Sequence, residues 1–268
     1  MSNSEISEAF LKLADTEAKV EQIDNEIEQL RIQKLGPIYR ERDEYISHIP
    51  EFWKIVLSQH VNFANYIRAT DFKYVDCIDR VTVEYDSERD KIGSFKLTFY
   101  FNEIPGDFPK QTVTKSFKLV KVVPDDDADR DENEDEGEER LISEAVDIVW
   151  PKEYDSINPA LIKDKHSTEG KRNYRTGMKS FFGWFKWTGT KPGKEYPHGD
   201  DLARLFSEDL YPYCVKYYTE AQRDLEDEQS DDSEDHDDSE EPLELSDVGE
   251  EEKNGEHSEP FQKKPRRE

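Results

Sequence analysis

Apolar residues recur at helical spacing over the first part of the chain, separated mostly by Glu, Gln, Lys, Asp and Arg. Steps of three, four or seven residues predict a helix from about residue 5 to residue 48 with a narrow apolar stripe. Such a stripe is typical of a seam between two helices, because a lone helix of this kind is poorly stable in water. The stripe comprises Ile6, Phe10, Leu13, Val20, Ile23, Ile27, Leu30 and Ile38.

This pattern predicts that residues 1–48 form a dimerisation helix that pairs with a second copy of the chain. Packing of the stripe against the chain's own body remains the alternative. Gly36-Pro37 predicts a kink or a short break in the helix, since proline removes one backbone hydrogen bond and clashes with the preceding turn. The predicted dimer contacts are Phe10, Leu13, Val20, Ile23, Ile27 and Leu30.

Helical and strand patterns alternate in the middle of the chain. Pro50 opens a second predicted helix that ends near Ala69. Apolar and polar residues then alternate around 81–85, 95–101 and 113–119, which predicts antiparallel strands with one covered face. Val146, Ile148 and Trp150 predict a further edge strand, and a helix follows with Asp200 or Asp201 as its N-cap.

The predicted architecture is α+β: a long N-terminal dimerisation helix, then an antiparallel sheet backed by helices in residues 49–223. The aromatic run from Phe181 to Trp187 is accompanied by lysines. That mixture suits stacking on single-stranded nucleic acid, but burial of these large rings in the core is the preferred interpretation.

The negative charge is concentrated in two segments. The chain has a formal net charge of −27, with 11 acids and one base in residues 125–139 and 19 acids and one base in residues 224–259. The net charges of the two segments are −10 and −18, which together slightly exceed the −27 of the whole chain. The remaining residues are therefore near neutral. We predict an acidic loop at 125–139 and a disordered acidic tail over 224–268. Concentrated anionic arms indicate a cationic partner.

A compact basic cluster follows the acidic tail and indicates a nuclear import signal, although it could simply balance the acids. Acidic arms and an import signal together point to basic nuclear proteins, of which histones are the most abundant. Two cysteines without pairing or ligand spacing fit a reducing compartment, and no apolar run approaches the length of a membrane span. The basic cluster consists of Lys263, Lys264, Arg266 and Arg267.

The sequence offers no support for catalysis. Its six histidines are scattered without ligand spacing, and it contains no nucleophile elbow, phosphate-binding glycine loop, dinucleotide fingerprint or zinc-protease motif. We therefore predict no catalytic residue, cofactor or metal, and a protein that is not an enzyme. The anionic arms also argue against direct sequence-specific nucleic-acid binding, and no membrane contact is expected.

Several stretches resemble the nucleosome assembly protein and SET family of histone chaperones. Residues 37–42, the junction at 49–53 and the run Phe181-Phe182-Gly183-Trp184-Phe185 ahead of an acidic tail carry the resemblance. It implies a homodimer joined by long helices, an α+β "earmuff" body, and binding of core histones, chiefly histones H3 and H4. It also implies that the protein binds and stimulates a histone acetyltransferase.

The resemblance assigns the earmuff acid role to Glu208 and Asp209, within Phe206-Ser207-Glu208-Asp209-Leu210. The acidic segment 125–139 departs from the family pattern, and it is either a second histone-facing arm or a solvated loop. A regulatory subunit that mainly presents substrate to the acetyltransferase is the alternative function. The candidate histone- and partner-binding acids are Glu208, Asp209, Asp231, Asp232, Glu234 and Asp235.

Overall fold

The structure, a computed structural model, describes residues 3–88, 91–122 and 138–231. A long N-terminal helix precedes a four-stranded antiparallel sheet, and short helices cover one face of the sheet. The chain divides into two units after Glu226. The elements are α1 (Asn3–Ile46), α2 (Phe52–Gln59), α3 (Val61–Tyr66), α4 (Phe72–Val75), β1 (Ile78–Tyr85), β2 (Phe95–Phe101), β3 (Gln111–Val122), β4 (Glu138–Ser143), α5 (Thr168–Met178), α6 (Phe181–Trp184), α7 (Gly199–Arg204), a π-helical turn (Leu205–Leu210) and α8 (Cys214–Asp231).

Helix α1 is 44 residues long, which corresponds to about 66 Å at the usual helical rise. The predicted break at Gly36-Pro37 is wrong, because the helix continues through Pro37. Contacts with the body hold α1 on both sides of this proline. Gln29 Nε2 donates to the carbonyl of Ser87 at 2.9 Å, and Arg42 Nη1 donates to the carbonyl of Tyr211 at 2.7 Å. These contacts offset the backbone hydrogen bond that proline cannot make.

The sheet has the strand order β1-β2-β3-β4, with every neighbouring pair antiparallel. Phe99 lies opposite Val81 on one side and Val113 on the other, so the buried residues of three strands share one face. On the other face Thr98 and Thr114 join their hydroxyls at 2.8 Å. The strands predicted from alternating polarity are confirmed, and with them the α+β architecture.

The fourth strand lies elsewhere than predicted. It is β4, with Leu141 opposite Leu119, whereas Val146–Trp150 is not a strand. The side chain of Gln111 explains why, since its amide nitrogen donates to the carbonyl of Val149 at 2.9 Å and its oxygen accepts from the Val149 amide at 3.0 Å. β4 includes the last two residues of the predicted acidic loop, and 125–137 lie outside the described residues.

Three helix boundaries also differ from prediction. The predicted helix from Pro50 to Ala69 is divided into α2 and α3 at His60. Neither Asp200 nor Asp201 is an N-cap, because α7 already begins at Gly199, where the ring of Trp187 leaves no room for a Cβ atom. α8 continues to Asp231, past the tail boundary predicted at residue 224.

The aromatic run forms the centre of the core, as predicted. Phe181, Phe182, Trp184 and Phe185 are completely buried. The ring of Phe99, in the middle of the sheet, contacts the rings of both Trp184 and Phe185. Because these rings are buried, they cannot stack on the bases of a single-stranded nucleic acid.

Candidate partner-binding surfaces

The apolar stripe of α1 is uncovered by the described part of the chain. Its residues Ile6, Leu13, Val20 and Ile27 follow one another at intervals of seven, the repeat of a coiled-coil seam. Between 42% and 65% of each stripe side chain is exposed. Large apolar side chains aligned along one helix face mark a surface for protein contact. The six predicted dimer contacts all lie in this exposed stripe.

A different face of α1 attaches the helix to the body. Arg42 is sandwiched between two rings, 4.6 Å from the centroid of Tyr39 and 4.4 Å from that of Tyr211. The Tyr211 hydroxyl donates to Asp43 Oδ2 at 2.7 Å, and burial raises the pKa of this tyrosine. These contacts hold the C-terminal part of α1 against the body and leave the apolar stripe facing outward. The sequence reasoning missed this cluster, whose members are far apart along the chain.

Glu208 is an exposed acid beside a cavity. Its carboxylate Oε1 lies 3.0 Å from Arg204 Nη1, and 62% of its side chain is exposed. The cavity, of about 400 Å³, lies between the C-terminal half of α1 and the body. Its apolar walls and its charged rim could receive a partner segment that carries both apolar and basic side chains. Its walls include Ile32, Leu35, Tyr39, Tyr85, Ile92, Phe95 and Pro212.

Asp209 is adjacent in sequence to Glu208 but is engaged inside the protein. The His60 ring lies 3.3 Å from its Oδ2, and the Tyr217 hydroxyl donates to its Oδ1. Because His60 Nδ1 accepts from the Phe63 amide at 3.2 Å, the His60 proton lies on Nε2 and points to Asp209. Burial, followed by the bond to Asp209, raises the pKa of Tyr217. The structure therefore separates the two predicted acids, leaving Glu208 the more accessible one.

The remaining predicted site residues lie at or beyond the end of the described chain. Asp231 is the last residue of α8, and its side chain is not described. The other predicted tail acids and the basic cluster lie outside the described residues: Asp232, Glu234, Asp235, Lys263, Lys264, Arg266 and Arg267.

One buried cation was missed by the sequence reasoning. Lys115 is completely buried, and its Nζ donates to the carbonyls of Glu144, Phe185 and Trp187 at 2.8, 3.1 and 2.8 Å. Burial lowers its pKa to about 7. The strand period alone could have revealed it, because Lys115 lies between Val113 and Phe117 on the buried face of β3. It joins the sheet to the residue that follows β4 and to the segment that follows α6.

Within residues 3–88, 91–122 and 138–231, no group of three or more His, Cys, Asp or Glu side chains is placed to hold a metal ion. Helices in the same residues lack the length and apolarity needed to cross a bilayer. Of the two cysteines, Cys214 is buried and burial raises its pKa to about 11. A thiol in this state is a poor nucleophile.

A long helix with an exposed apolar stripe, fixed to an α+β body, defines a protein built for contact with other proteins. The family model for nucleosome assembly protein (NAP) matches residues 12–221, well over half of the chain. The chain belongs to this family.

Named relatives agree with this assignment. Vacuolar protein sorting-associated protein 75 (Vps75) of Saccharomyces cerevisiae is 57% identical over 231 residues, covering 85% of this chain and 84% of the relative. Protein SET of Drosophila melanogaster is 27% identical over 215 residues, covering 80% and 69%. Two solved structures also match, those of Vps75 and of the Vps75 histone chaperone. Their TM-scores are 0.73 and 0.69, at 55% and 54% identity, and each match covers 81% of this chain and 99% of the other.

Proposed function

We propose that this chain is a histone chaperone: a non-enzymatic carrier that binds core histones, chiefly H3 and H4, and shields their charge for nucleosome assembly. The observation that carries the proposal is the 57% identity with Vps75, over most of both chains. A crystal structure of that protein, described as a histone chaperone, has the same fold.

Charge neutralisation is the proposed mechanism. The body is near neutral, whereas the net charge of residues 125–139 and 224–259 together slightly exceeds the −27 of the whole chain. Carboxylates in these segments would pair with histone Lys and Arg and weaken the histones' non-specific hold on DNA. Such contacts are individually weak and sensitive to salt, which suits a carrier that must release its cargo.

The proposed assembly is a homodimer in the nucleus. The exposed stripe on α1 supports dimerisation, because burial of each large apolar side chain against a partner contributes about 1.5–3 kcal/mol. The basic cluster from Lys263 to Arg267 is proposed as the nuclear import signal. Asp231, Asp232, Glu234 and Asp235 are proposed histone contacts.

The chain is further proposed to bind and stimulate a histone acetyltransferase, and presentation of substrate to that enzyme is the alternative main role. The observation that favours this second role is a candidate contact on the described body, outside residues 125–139 and 224–259 of the sequence. Glu208 is exposed beside the cavity between α1 and the body. Of the two acids proposed for this contact, Glu208 is the accessible one, and Asp209 supports the fold beneath it.

A binding titration with purified core histones tests the proposal. Fluorescently labelled H3–H4 is titrated with the full chain, and competition by DNA is measured in parallel. Saturable binding that reduces non-specific DNA binding by histones is the expected result. Absence of histone binding at low salt would refute the chaperone function.

A further inference from the structure

A concave basic site lies on the body, apart from α1 and from Glu208. It is a cavity of about 880 Å³ between the C-terminal end of α5, the strand β4 and the loop that precedes α7. Its volume falls within the range of about 300–1,000 Å³ that is usual for small-molecule sites. Neither the proposed dimer seam nor the proposed acidic arms account for it.

The walls of this cavity are unusually rich in cations for a chain with a net charge of −27. Two carboxylates also border it, those of Glu195 and Asp200. The carboxylate of Glu195 is already hydrogen-bonded to the backbone. Its Oε2 accepts from the Gly189 amide at 2.9 Å and its Oε1 accepts from the Thr188 amide at 3.2 Å. The cavity therefore keeps an excess of positive charge. Its cationic side chains are Arg140, Arg175, Lys179, Lys191 and Lys194.

Four of these cations have no carboxylate partner among the described residues: Arg175, Lys179, Lys191 and Lys194. All four are exposed. Arg175, in the last turn of α5, and Lys179, the residue that follows this helix, are four residues apart and also border a second depression beside the first. Like charges held this close repel one another unless an anion lies between them. An anion bound here would remove a repulsion that the folded body otherwise retains.

We propose that this cavity, which we term the basic cavity, binds a compact soluble polyphosphate such as an inositol polyphosphate. Phosphate oxygens accept charge-assisted hydrogen bonds from several Arg and Lys side chains at once, and a compact ligand brings several phosphates into one concave site. A ligand that concentrates its charge in this way is expected to bind more tightly than an acidic peptide, whose carboxylates are spread along the chain.

Geometry disfavours nucleic acid as the occupant. Of the aromatic rings that line the cavity, Trp187 is 6% exposed and Tyr196 is 3% exposed. The half-buried ring of Tyr174 is already covered by Lys165, whose Nζ lies 5.3 Å from the ring centroid. The cations line the inside of a concavity rather than an open ridge along which a duplex backbone could lie. The anionic segments also repel a long polyanion more than a small one, because repulsion accumulates along the length of the strand.

Calorimetric titration of the full chain with inositol hexakisphosphate, at about 0.15 M salt, tests the proposal. We expect saturable binding at one site per chain. The variant Arg175→Glu/Lys179→Glu is expected to bind at least about tenfold more weakly, because it replaces attraction with repulsion at two cationic positions of the cavity wall. Lys191→Gln/Lys194→Gln, in an exposed turn, is expected to weaken binding without reversing charge. Thermal unfolding verifies that each variant remains folded.

The matched control is Lys110→Glu/Lys118→Glu, which changes the net charge equally at exposed positions outside the basic cavity. Its affinity for inositol hexakisphosphate is expected to match that of the parent chain. Equal weakening in the control would overturn the proposal, as would the absence of saturable binding to the parent chain.

Two competing sources of phosphate complete the design. Vesicles containing phosphatidylinositol 4,5-bisphosphate test a lipid headgroup, and a short DNA duplex tests a nucleic-acid backbone. If either binds through Arg175 and Lys179 while the soluble polyphosphate does not, the assignment to a soluble ligand is overturned. Displacement of both by inositol hexakisphosphate supports it.

Discussion

The imidazole Nε2 of His60 lies 3.3 Å from Oδ2 of Asp209, and this pair joins the start of α3 to the π-helical turn before α8. Tyr217 donates to the other carboxylate oxygen, and its ring packs edge-on against His60 at 4.5 Å between centroids. A residue that the family resemblance assigns to partner binding therefore has a structural role. Experiments that reverse the charge of Glu208 and Asp209 together combine two different effects.

The first prediction concerns stability at these two acids. Asp209→Ala should lower the free energy of unfolding by about 1–3 kcal/mol, because it leaves the buried His60 ring and the half-buried Tyr217 hydroxyl without their acceptor. Glu208→Ala should lower it by less than about 1 kcal/mol, since an exposed ion pair with Arg204 contributes little. Urea unfolding of both variants at one chain concentration provides the measurement. Equal losses of stability would show that Asp209 is not an internal support.

The second prediction separates partner binding from stability. Glu208→Lys should weaken capture of the histone acetyltransferase and its stimulation, with unfolding close to that of the parent chain. Lys replaces an exposed carboxylate beside the cavity between α1 and the body. The matched control is Glu84→Lys. Glu84 is an exposed acid on the face of β1 opposite the buried Val81 and Val83. Full stimulation by Glu208→Lys would remove this residue from the contact.

The third prediction concerns the seam on α1. Ile27→Glu places a charge in the centre of the apolar stripe and should convert dimers into monomers at micromolar concentration, because each seam would contain two buried, unpaired charges. Gln33→Glu adds the same charge at an exposed position outside the stripe and should leave the dimer intact. Sedimentation velocity measures both variants. A parent chain that sediments as a single copy would refute the dimer itself.

The fourth prediction concerns the acidic tail. Deleting residues 232–259 leaves α8 whole and should weaken H3–H4 binding strongly at about 0.05 M salt and much less at about 0.5 M, where screening is strong. A tail of equal length with Asn and Gln in place of its acids provides the control, because it keeps the length and removes the charge. Affinity that is equal for all three chains at both salt concentrations would exclude the electrostatic mechanism.

Sequence patterns predicted the elements whose periodicity is uninterrupted. The stripe of α1 and the alternating strands around Phe99 are examples, because burial on one face imposes its period on the residue types. β4 was missed, since Leu141 is its one fully buried apolar residue and its position depends on backbone bonds to β3. The continuity of helix α1 through Pro37 could not be predicted either, because it depends on contacts with residues far away in the sequence.

The candidate site was predicted less completely than the fold. The sequence does not distinguish the adjacent acids Glu208 and Asp209. Only the fold shows that Asp209 has internal partners, His60 at the start of α3 and Tyr217 on α8. The basic cavity is assembled from β4, α5 and the loop before α7, so no local spacing could reveal it. Lys115 was also missed, although its position in the strand period between Val113 and Phe117 could have identified it as a buried cation.

The fifth prediction concerns Lys115 and pH. Burial lowers its pKa to about 7 in the folded chain, from the ordinary lysine value of 10.5. Between these values the unfolded chain binds a proton that the folded chain does not, so raising the pH through this window stabilises the fold. Relative to Lys115→Met, the parent chain should gain up to about 1.4 kcal/mol of unfolding free energy per pH unit.

Urea unfolding at several pH values above 7 and below the titration of tyrosine gives the slope of the unfolding free energy against pH. Lys118→Met, at the exposed neighbouring lysine of β3, should have the slope of the parent chain. Parallel curves for Lys115→Met and the parent would mean that Lys115 stays charged in its cage of carbonyls.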